Sequence, residues 1–353
     1  MTALRRRDDV TIETFDSDAA ATLLPQKIQG ADVVYHLAGV NRPQDDAEFQ
    51  EVNFGLTEQI IQQASAADTQ PKIVFTSSTQ AARDNAYGRS KLAAEQALLD
   101  ANQNSSVPIT IYRLPGVFGK WSRPNYNTVV ATFCHNIARG QKITISDASH
   151  ELELVYIDDV VRHLLTHLDS DAGSVNASID RTFHVTLGDL AQRVREIHDA
   201  RESLKMPDLN DELNQCLYPT YLSFLDEDKF SYPANMRTDD RGWLFELIKS
   251  SSFGQIFVST THPGITRGNH YHDSKVEKFC LIQGQGVIRF RDIDSDEIID
   301  YPVDDKQIRI VDIPPGYTHS IENVGDQQMI VLFWANQIFD PNQPDTYYDE
   351  VIQ

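Results

Sequence analysis

Four residues in the C-terminal third of the chain have the types and spacing of a metal site. His270, His272 and Glu277 follow the pattern H-x-H-x4-E, and His319 lies further on, within the stretch P-P-G-Y-T-H-S-I-E-N. Residues i and i+2 of a strand face the same way, so the first two imidazoles can point at one ion. Three imidazoles and one carboxylate suit a divalent cation such as Zn²⁺, although Mn, Fe, Co and Ni accept the same set.

A second group has the residue types needed to move a proton during hydride transfer. Tyr87 and Lys91 are spaced Y-x3-K at the start of a predicted helix, where residues i and i+4 share a face. We therefore expect the ammonium to favour the phenolate and to lower the pKa of Tyr87 toward neutrality. Ser78, at the end of the preceding predicted strand, supplies a hydroxyl for the same substrate oxygen. The phenol can then exchange a proton with a sugar hydroxyl or ketone while a hydride moves to or from a nicotinamide.

Alternating strands and helices must position this second group. The chain suggests strands at Asp32–Gly39, Lys72–Ser78 and Ile109–Phe118, and helices at Glu48–Ala67, Tyr87–Asn102, Val129–Arg139 and Leu187–Asp199. This alternation favours a parallel, Rossmann-like sheet covered by helices on both faces, which is an α/β fold. From Trp243 onward, short segments of period-2 alternation with turns predict an all-β domain, a barrel that carries the metal ligands.

Two domains are expected from the length of 353 residues alone. Between the two patterns, Leu204–Pro233 has little periodicity and contains three prolines, which indicates a linker with ordered anchors. We place the boundary near Asp228. The N-terminal domain then spans residues 1–228, with residues 204–228 as linker, and the C-terminal domain spans residues 229–353.

Composition argues against several classes of protein. The chain has 31 Lys and Arg against 52 Asp and Glu, a formal charge of −21, which repels nucleic acid and anionic membranes. No apolar run approaches the length of a membrane span, and the N-terminus lacks the apolar core of a signal peptide. Cys134, Cys216 and Cys280 have no paired spacing, so a reduced setting fits. We predict a cytoplasmic protein without nucleic-acid partners or membrane insertion.

The metal-ligand pattern resembles the cupin superfamily. Gly264–Gly284 matches its first motif, G-x5-H-x-H-x4-E-x6-G, at every fixed position. Pro314–Asn323 matches the second motif, G-x5-P-x-G-x2-H-x3-N, except that Ile308 stands where the first glycine belongs. Because that glycine serves a backbone turn, the substitution leaves the ligands intact. The resemblance implies a cupin β-barrel that holds one metal ion.

The N-terminal domain resembles the extended short-chain dehydrogenases/reductases, with Ser78, Tyr87 and Lys91 on their catalytic triad. Four further segments match elements of that family in order: H-L-A-G at His36–Gly39, V-N-F-G-L-T at Val52–Thr57, Y-R-L-P-G-V-F-G at Tyr112–Gly119 and V-Y-I-D-D-V at Val155–Val160. The resemblance implies an NADPH cofactor. The residues it places beside that cofactor are Leu37, Ala38, Gly39, Tyr87, Lys91, Pro115 and Val117.

A reductase domain followed by a metal cupin resembles the CapF-type family of bifunctional enzymes of capsular polysaccharide synthesis. The likeness runs from about Ala31 to the C-terminus and is densest at His36–Pro43, Pro124–Ile137, Val311–His319 and Phe339–Tyr347. It implies a homodimer acting on a UDP-linked 2-acetamido-2,6-dideoxy-4-hexulose. The cupin metal would favour C3 epimerisation by stabilising an enediolate. NADPH would then reduce C4, giving UDP-2-acetamido-2,6-dideoxy-talose on the route to N-acetyl-L-fucosamine.

Basic residues near the cupin motif are candidates to receive the substrate diphosphate in this acidic chain. They are Arg267, Lys275 and Lys278, with Arg289 and Arg291 on a later strand. As single residues they are equally well explained as exposed charges on strand faces.

One element of the reductase family has no counterpart in this sequence. The family begins with a strand and a G-x-x-G-x-x-G loop that holds the cofactor diphosphate, whereas the first glycine here is Gly30. Either the start is truncated or the clamp has been lost, and we expect weak nicotinamide binding. Two alternatives stay open: a non-catalytic sugar-nucleotide sensor, assembly subunit or epimerase-only protein with an inactive reductase domain, and a metal-dependent cupin oxygenase.

Overall fold

A computed structural model describes residues 1–16, 18–43, 45–170 and 173–353. These residues divide into two units. The first comprises Met1–Val194 with Cys216–Phe224, and the second comprises Arg195–Gln215 with Leu225–Gln353. Within the described ranges, no helix is both long and apolar enough to cross a membrane.

The first unit is built on a parallel sheet of four strands. They are β1 (Val33–His36), β2 (Lys72–Ser78), β3 (Ile109–Leu114) and β6 (Ser174–Ala177), and they lie in that order across the sheet. A smaller sheet contains three further strands, namely β4 (Gly116–Phe118), β5 (Glu151–Tyr156) and β7 (Phe183–Thr186). Strand β5 is central in this sheet, parallel to β4 and antiparallel to β7.

Seven α-helices follow or connect these strands in the described part of the chain. They are α1 (Leu24–Gln29), α2 (Leu56–Ala66), α3 (Ala86–Ser105), α4 (Val129–Ala138), α5 (Ile157–Leu165), α6 (Leu187–Ser203) and α7 (Glu212–Leu222). A π-helical segment, Phe49–Gly55, leads into α2. Helix α7 lies within Leu204–Pro233, the stretch whose composition suggested a linker, and it contains Pro219.

Two apolar clusters cover opposite faces of the parallel sheet. Because successive side chains of a strand point to opposite faces, Ile73 and Phe75 of β2 pack with residues of α1, α2 and α3, whereas Val74 packs with Tyr112 and with Val160 of α5. Both clusters consist of buried side chains, and each fully buried valine, leucine, isoleucine or phenylalanine contributes about 1.5–3 kcal/mol. The predicted parallel sheet with helices is therefore confirmed.

The C-terminal part of the second unit is built from short antiparallel strands. They are β8 (Arg237–Asp239), β9 (Gly242–Ser250), β10 (Gly254–Thr261), β11 (Thr266–Tyr271), β12 (Glu277–Gln283), β13 (Gln285–Asp292), β14 (Ile298–Asp304), β15 (Ile310–Ile313), β16 (Tyr317–Asn323), β17 (Met329–Ala335) and β18 (Tyr347–Tyr348). One sheet has the order β15-β12-β17-β10-β9-β8, and the other has the order β14-β13-β16-β11-β18.

A single apolar cluster joins the inner faces of these two sheets. Phe279 and Leu281 of β12 pack in it with Ile288 of β13, Ile321 of β16 and Phe333 of β17, all buried. Along β12 and β17 these residues are spaced by two, as the period-2 alternation of the sequence predicts. The predicted fold class, an α/β domain followed by an all-β domain of cupin type, is confirmed.

Candidate active sites

Four side chains of the second unit converge on one point. His270 lies on β11, His272 follows directly after that strand, Glu277 begins β12, and His319 lies on β16. Their candidate ligand atoms all lie within 4.8 Å of one another, and three of the four residues are buried. The antiparallel pairing of β11 with β16, in which His270 is opposite His319, accounts for the contact between distant segments of the chain. The structure thus brings together all four predicted ligands.

The polar atoms at the centre of this cluster lack ordinary partners. The Nε2 atoms of His272 and His319 are buried without a hydrogen bond to any described residue. They lie 3.4 and 3.5 Å from Oε2 of Glu277. Buried polar groups are almost always satisfied, so two orphaned nitrogens facing a carboxylate fit a divalent metal as their missing partner.

The protonation states of the cluster also suit a cation. Burial, reinforced by the neighbouring imidazoles, lowers the pKa of His270 to about 4, so its ring is neutral near pH 7. Burial would raise the pKa of Glu277, but contact with His272 and His319 outweighs it and holds that pKa well below the usual range. A neutral imidazole and an ionised carboxylate are the forms that ligate metals.

The C-terminal segment orients one of the four ligands. The Nδ1 atom of His272 lies 2.5 Å from the backbone oxygen of Asp345, which fixes the ring and leaves Nε2 facing the cluster. The carboxylate of Asp345 accepts hydrogen bonds from the backbone N–H groups of Asp273, Ser274 and Lys275. The sequence analysis missed Asp345, although the segment that contains it, Phe339–Tyr347, resembled the CapF-type family.

Backbone geometry at Gly268 sets the direction of His270. Gly268 has φ of +95°, and a Cβ there would stand 2.8 Å from the backbone oxygen of His319. The register of β11 with β16 shifts between Gly268 and His270, which marks a bulge. Only glycine allows both this φ and this close approach. The placement of His270 therefore depends on Gly268, which occupies a variable position of the first motif, between Gly264 and His270.

Each of the five predicted substrate cations of this unit already has an acceptor in the protein. The pairs are Arg267 with Thr260, Lys275 with Pro344, Lys278 with Asp312, Arg289 with Glu322 and Arg291 with Asp349. These contacts give all five side chains a structural role, and binding of the diphosphate by any of them remains a prediction.

The predicted proton-transfer residues of the first unit lie where β2 ends and α3 begins. Ser78 is the last residue of β2, and Tyr87 and Lys91 are one turn apart at the start of α3. Asn85 caps the helix by accepting a hydrogen bond from Gly88 N, 2.8 Å away. A Cβ at Gly88 would stand 2.3 Å from the backbone oxygen of Gln80, so the helix can start this close to the preceding turn only with glycine there.

The predicted lowering of the pKa of Tyr87 is wrong for this structure. Burial raises that pKa above its ordinary value, and a hydrogen bond with Ser78 opposes the rise without cancelling it. The Nζ atom of Lys91 donates instead to the backbone oxygen of Thr76 at 3.2 Å, and it lies 4.8 Å from the ring centroid of Phe75. The lysine charge is therefore directed at the backbone of β2, and burial lowers the pKa of Lys91 to about 8.

The predicted cofactor residues lie at the carboxyl ends of neighbouring strands. Leu37, Ala38 and Gly39 are exposed directly after β1, and a Cβ at Gly39 would stand 3.1 Å from Nζ of Lys91. Pro115 lies between β3 and β4 and Val117 lies in β4, just beyond Leu114, which is opposite Ser78 in the sheet. Ligands of parallel α/β sheets bind at such strand ends.

A buried asparagine ties these strand ends to α3. Asn53 Oδ1 accepts a hydrogen bond from Val40 N at 2.8 Å, and its Nδ2 donates to Ser90 Oγ at 3.0 Å. Ser90 directly precedes Lys91, so Asn53 fixes the loop after β1 against α3. The sequence analysis recognised Asn53 only as part of the V-N-F-G-L-T segment and did not assign it this role.

Each half of the chain matches a family of known proteins. Residues 3–179 match the NAD dependent epimerase/dehydratase family, and residues 237–347 match the polysaccharide biosynthesis C-terminal domain. The chain is 42% identical to the UDP-2-acetamido-2,6-beta-L-arabino-hexul-4-ose reductase of Pseudomonas aeruginosa, over 98% of this chain and 93% of that protein. It is also 42% identical in sequence to the capsular polysaccharide assembling protein CapF of Staphylococcus aureus. The crystal structure of that protein superposes with a TM-score of 0.87 over 95% of this chain and 91% of that chain.

A more distant likeness concerns the fold alone. The UDP-glucuronic acid 4-epimerase of Bacillus cereus, solved with NAD, is 19% identical and superposes with a TM-score of 0.51 over 63% of this chain and 81% of that chain. The near-complete matches confirm the predicted class, an enzyme of the epimerase/reductase type. The chain therefore belongs to the NAD dependent epimerase/dehydratase family, in the CapF-type form that adds a polysaccharide biosynthesis C-terminal domain.

Proposed function

We propose that this enzyme acts on a UDP-linked 2-acetamido-2,6-dideoxy-4-hexulose in two steps. The second unit inverts C3, and the first unit then reduces C4 with NADPH, giving UDP-2-acetamido-2,6-dideoxy-talose for capsule or O-antigen synthesis. The observation that carries the proposal is the presence in one chain of a buried three-histidine, one-glutamate cluster and of the Ser78–Tyr87–Lys91 set. The reductase of Pseudomonas aeruginosa, whose name specifies a UDP-linked hexul-4-ose, supports this substrate class.

Epimerisation at C3 is assigned to the cluster of His270, His272, Glu277 and His319. The 4-keto group acidifies the neighbouring C3–H. Transfer of that proton to a base leaves an enediolate with negative charge on the keto oxygen, and return of a proton to the opposite face of C3 completes the inversion. A divalent metal held by the four residues would supply Lewis-acid stabilisation of that charge. The protein contributes a buried site, an ionised Glu277, and a His272 ring oriented by Asp345.

Reduction at C4 is assigned to Tyr87, with Ser78 and Lys91. Bound NADPH would supply the hydride to C4, and the Tyr87 phenol would donate its proton to the C4 oxygen, so that the ketone becomes an alcohol. The raised pKa of Tyr87 keeps the phenol protonated at neutral pH, as a proton donor must be. Ser78, which hydrogen bonds with Tyr87, is placed to hold the same oxygen. Lys91 adds a nearby positive charge below about pH 8.

Incubation of the purified protein with the 4-keto sugar nucleotide and NADPH tests the assignment. We expect one NADPH to be consumed per sugar and a product inverted at C3 and reduced at C4, identified by NMR coupling constants. Reduction without inversion would overturn the epimerase assignment. Inversion without any NADPH consumption would overturn the reductase assignment.

A further inference from the structure

Two guanidinium groups of the first unit converge on one aromatic ring. The Cζ atom of Arg123 lies 4.9 Å from the ring centroid of Tyr126, and the Cζ atom of Arg42 lies 5.9 Å from it. Both distances fall within the range of about 6 Å for cation–π contacts. Arg42 belongs to the loop after β1, whereas Arg123 and Tyr126 belong to the loop between β4 and α4. We call these three residues the arginine cluster.

Neither guanidinium of the arginine cluster has an acidic partner in the part of the chain that the structure describes. Among the described residues, no ion pair or side-chain hydrogen bond involves Arg42 or Arg123, although the chain has 52 acidic residues against 31 basic ones. Other arginines of the same unit are paired, as Arg113 is with Glu95 and Arg181 with Asp159. Two like charges near one ring repel each other. An anion bound between them would remove that repulsion.

The arginine cluster lies on loops that follow strands β1 and β4 of the first unit. Arg42 follows three residues after Gly39, where a Cβ would stand 3.1 Å from Nζ of Lys91. The other loop follows β4, which begins two residues after Leu114, the residue opposite Ser78 in the sheet. That second loop is held in place, since Asn125 N donates to Thr132 Oγ1 at 3.0 Å. Loops at the carboxyl ends of parallel strands line the ligand crevice of such sheets.

We propose that Arg42 and Arg123 bind the diphosphate of the nucleotide-sugar substrate, and that Tyr126 holds the two guanidiniums in place. A guanidinium can donate two parallel hydrogen bonds to a phosphate, so a pair of them matches the two phosphates of a nucleoside diphosphate. A local basic site is also needed if a protein with net charge −21 is to attract an anion. The identity of the sugar in this inference rests on the proposed function. The binding of a diphosphate by the two arginines does not.

Binding of UDP and of NADP⁺ to the full-length chain separates the two possible sources of a diphosphate. Arg42→Met and Arg123→Met should each raise the Kd of UDP about tenfold or more and reduce its dependence on salt. The Kd of NADP⁺ should stay unchanged. Tyr126→Phe keeps the ring and should bind UDP as the wild type does, whereas Tyr126→Leu should bind it more weakly. Both arginines are exposed, so melting temperatures should not change.

Arg201→Met is the matched control, because its guanidinium also lies 4.7 Å from a tyrosine ring, that of Tyr232, in the second unit. Its Kd for UDP should equal that of the wild type. Unchanged UDP binding in Arg42→Met and Arg123→Met, or no measurable UDP binding by the wild type, overturns the inference. A loss confined to NADP⁺ overturns the assignment to the substrate. UDP binding requires neither epimerisation nor reduction. It can therefore be measured and interpreted even if the protein catalyses neither step.

Discussion

Burial of Lys91 should give the reductase step a characteristic pH dependence. Its pKa is lowered to about 8 by burial, with Glu95 opposing the shift. The ammonium is therefore charged below about pH 8 and loses its charge above it. We expect kcat/KM for reduction to fall as the pH rises through about 8. Lys91→Arg stays charged throughout this range, so its profile should lack the fall even if its activity is lower. The same fall in both proteins would contradict the assignment to Lys91.

The histidine cluster predicts the metal content of the purified protein. We expect one divalent ion per chain by elemental analysis, and its loss from His272→Ala, because no further described residue belongs to the cluster and could supply the missing ligand. His262→Ala is the control, since His262 is exposed in the same unit and lies outside the cluster. Stoichiometric metal in His272→Ala would show that the four residues are not the ligands.

The turn between β2 and α3 depends on Gly88. A Cβ at this position would stand 2.3 Å from Gln80 O and 2.5 Å from Arg83 O, both backbone atoms. Gly88→Ala must therefore displace the start of α3, at a cost of about 1–3 kcal/mol in unfolding free energy, and misplace Tyr87. We expect a lower melting temperature together with reduced kcat for reduction.

Gly30→Ala provides the comparison, because a Cβ there meets nothing within 4 Å and its φ is −109°. Its melting temperature should not fall. Equal stability of both variants would mean that the start of α3 does not depend on close contact with the preceding turn.

The segment around Asp345 acts on the metal cluster from outside. Its carboxylate binds three successive backbone N–H groups, and its backbone oxygen orients His272. Asp345→Ala should therefore weaken metal affinity about 10–100-fold, measured by competition with a chelator, while all four ligands remain. Asp340→Ala changes an acid of the same segment whose carboxylate, among the residues described, bonds only to nearby Asn342. The metal affinity of this variant should match the wild type. Equal affinities in the two variants would exclude the orienting role.

Local sequence patterns predicted most of the fold. Strand β2 was predicted at its observed bounds, and the helices containing Tyr87 and Val129 were predicted to within a few residues, because apolar periodicity is a local property. The four cluster residues were also predicted together, since fixed motif spacing determines which side chains share a strand face. Helix α7 did not stand out, because its apolar residues lack a clear period and Pro219 lies within it.

Properties that depend on tertiary contacts could not be predicted in the same way. The spacing Y-x3-K places Tyr87 and Lys91 on one helix face, but it does not reveal that the ammonium bonds to Thr76 O or that burial dominates the phenol. Nor does it reveal that Asp345, far along the chain, orients His272. Desolvation and long-range hydrogen bonds depend on which distant residues pack together, and local sequence patterns do not specify this.

Single substitutions should separate the two chemistries of the molecule. Deprotonation at C3 in heavy water replaces hydrogen with deuterium and needs no NADPH, so exchange reports the second unit alone. Removal of the phenolic hydroxyl takes away the proton donor for C4, whereas removal of one imidazole takes away a metal ligand. Each change should therefore leave the other chemistry in place.

The most direct test is deuterium incorporation at C3 of the 4-keto sugar nucleotide, followed by NMR for wild type, Tyr87→Phe and His319→Ala. We predict that Tyr87→Phe exchanges C3 at nearly the wild-type rate while its NADPH oxidation falls by about 10²–10⁴-fold. His319→Ala should lose exchange and still reduce a ketone that is already inverted at C3. Loss of C3 exchange in Tyr87→Phe, with its fold and metal content intact, would contradict the division of labour between the two units.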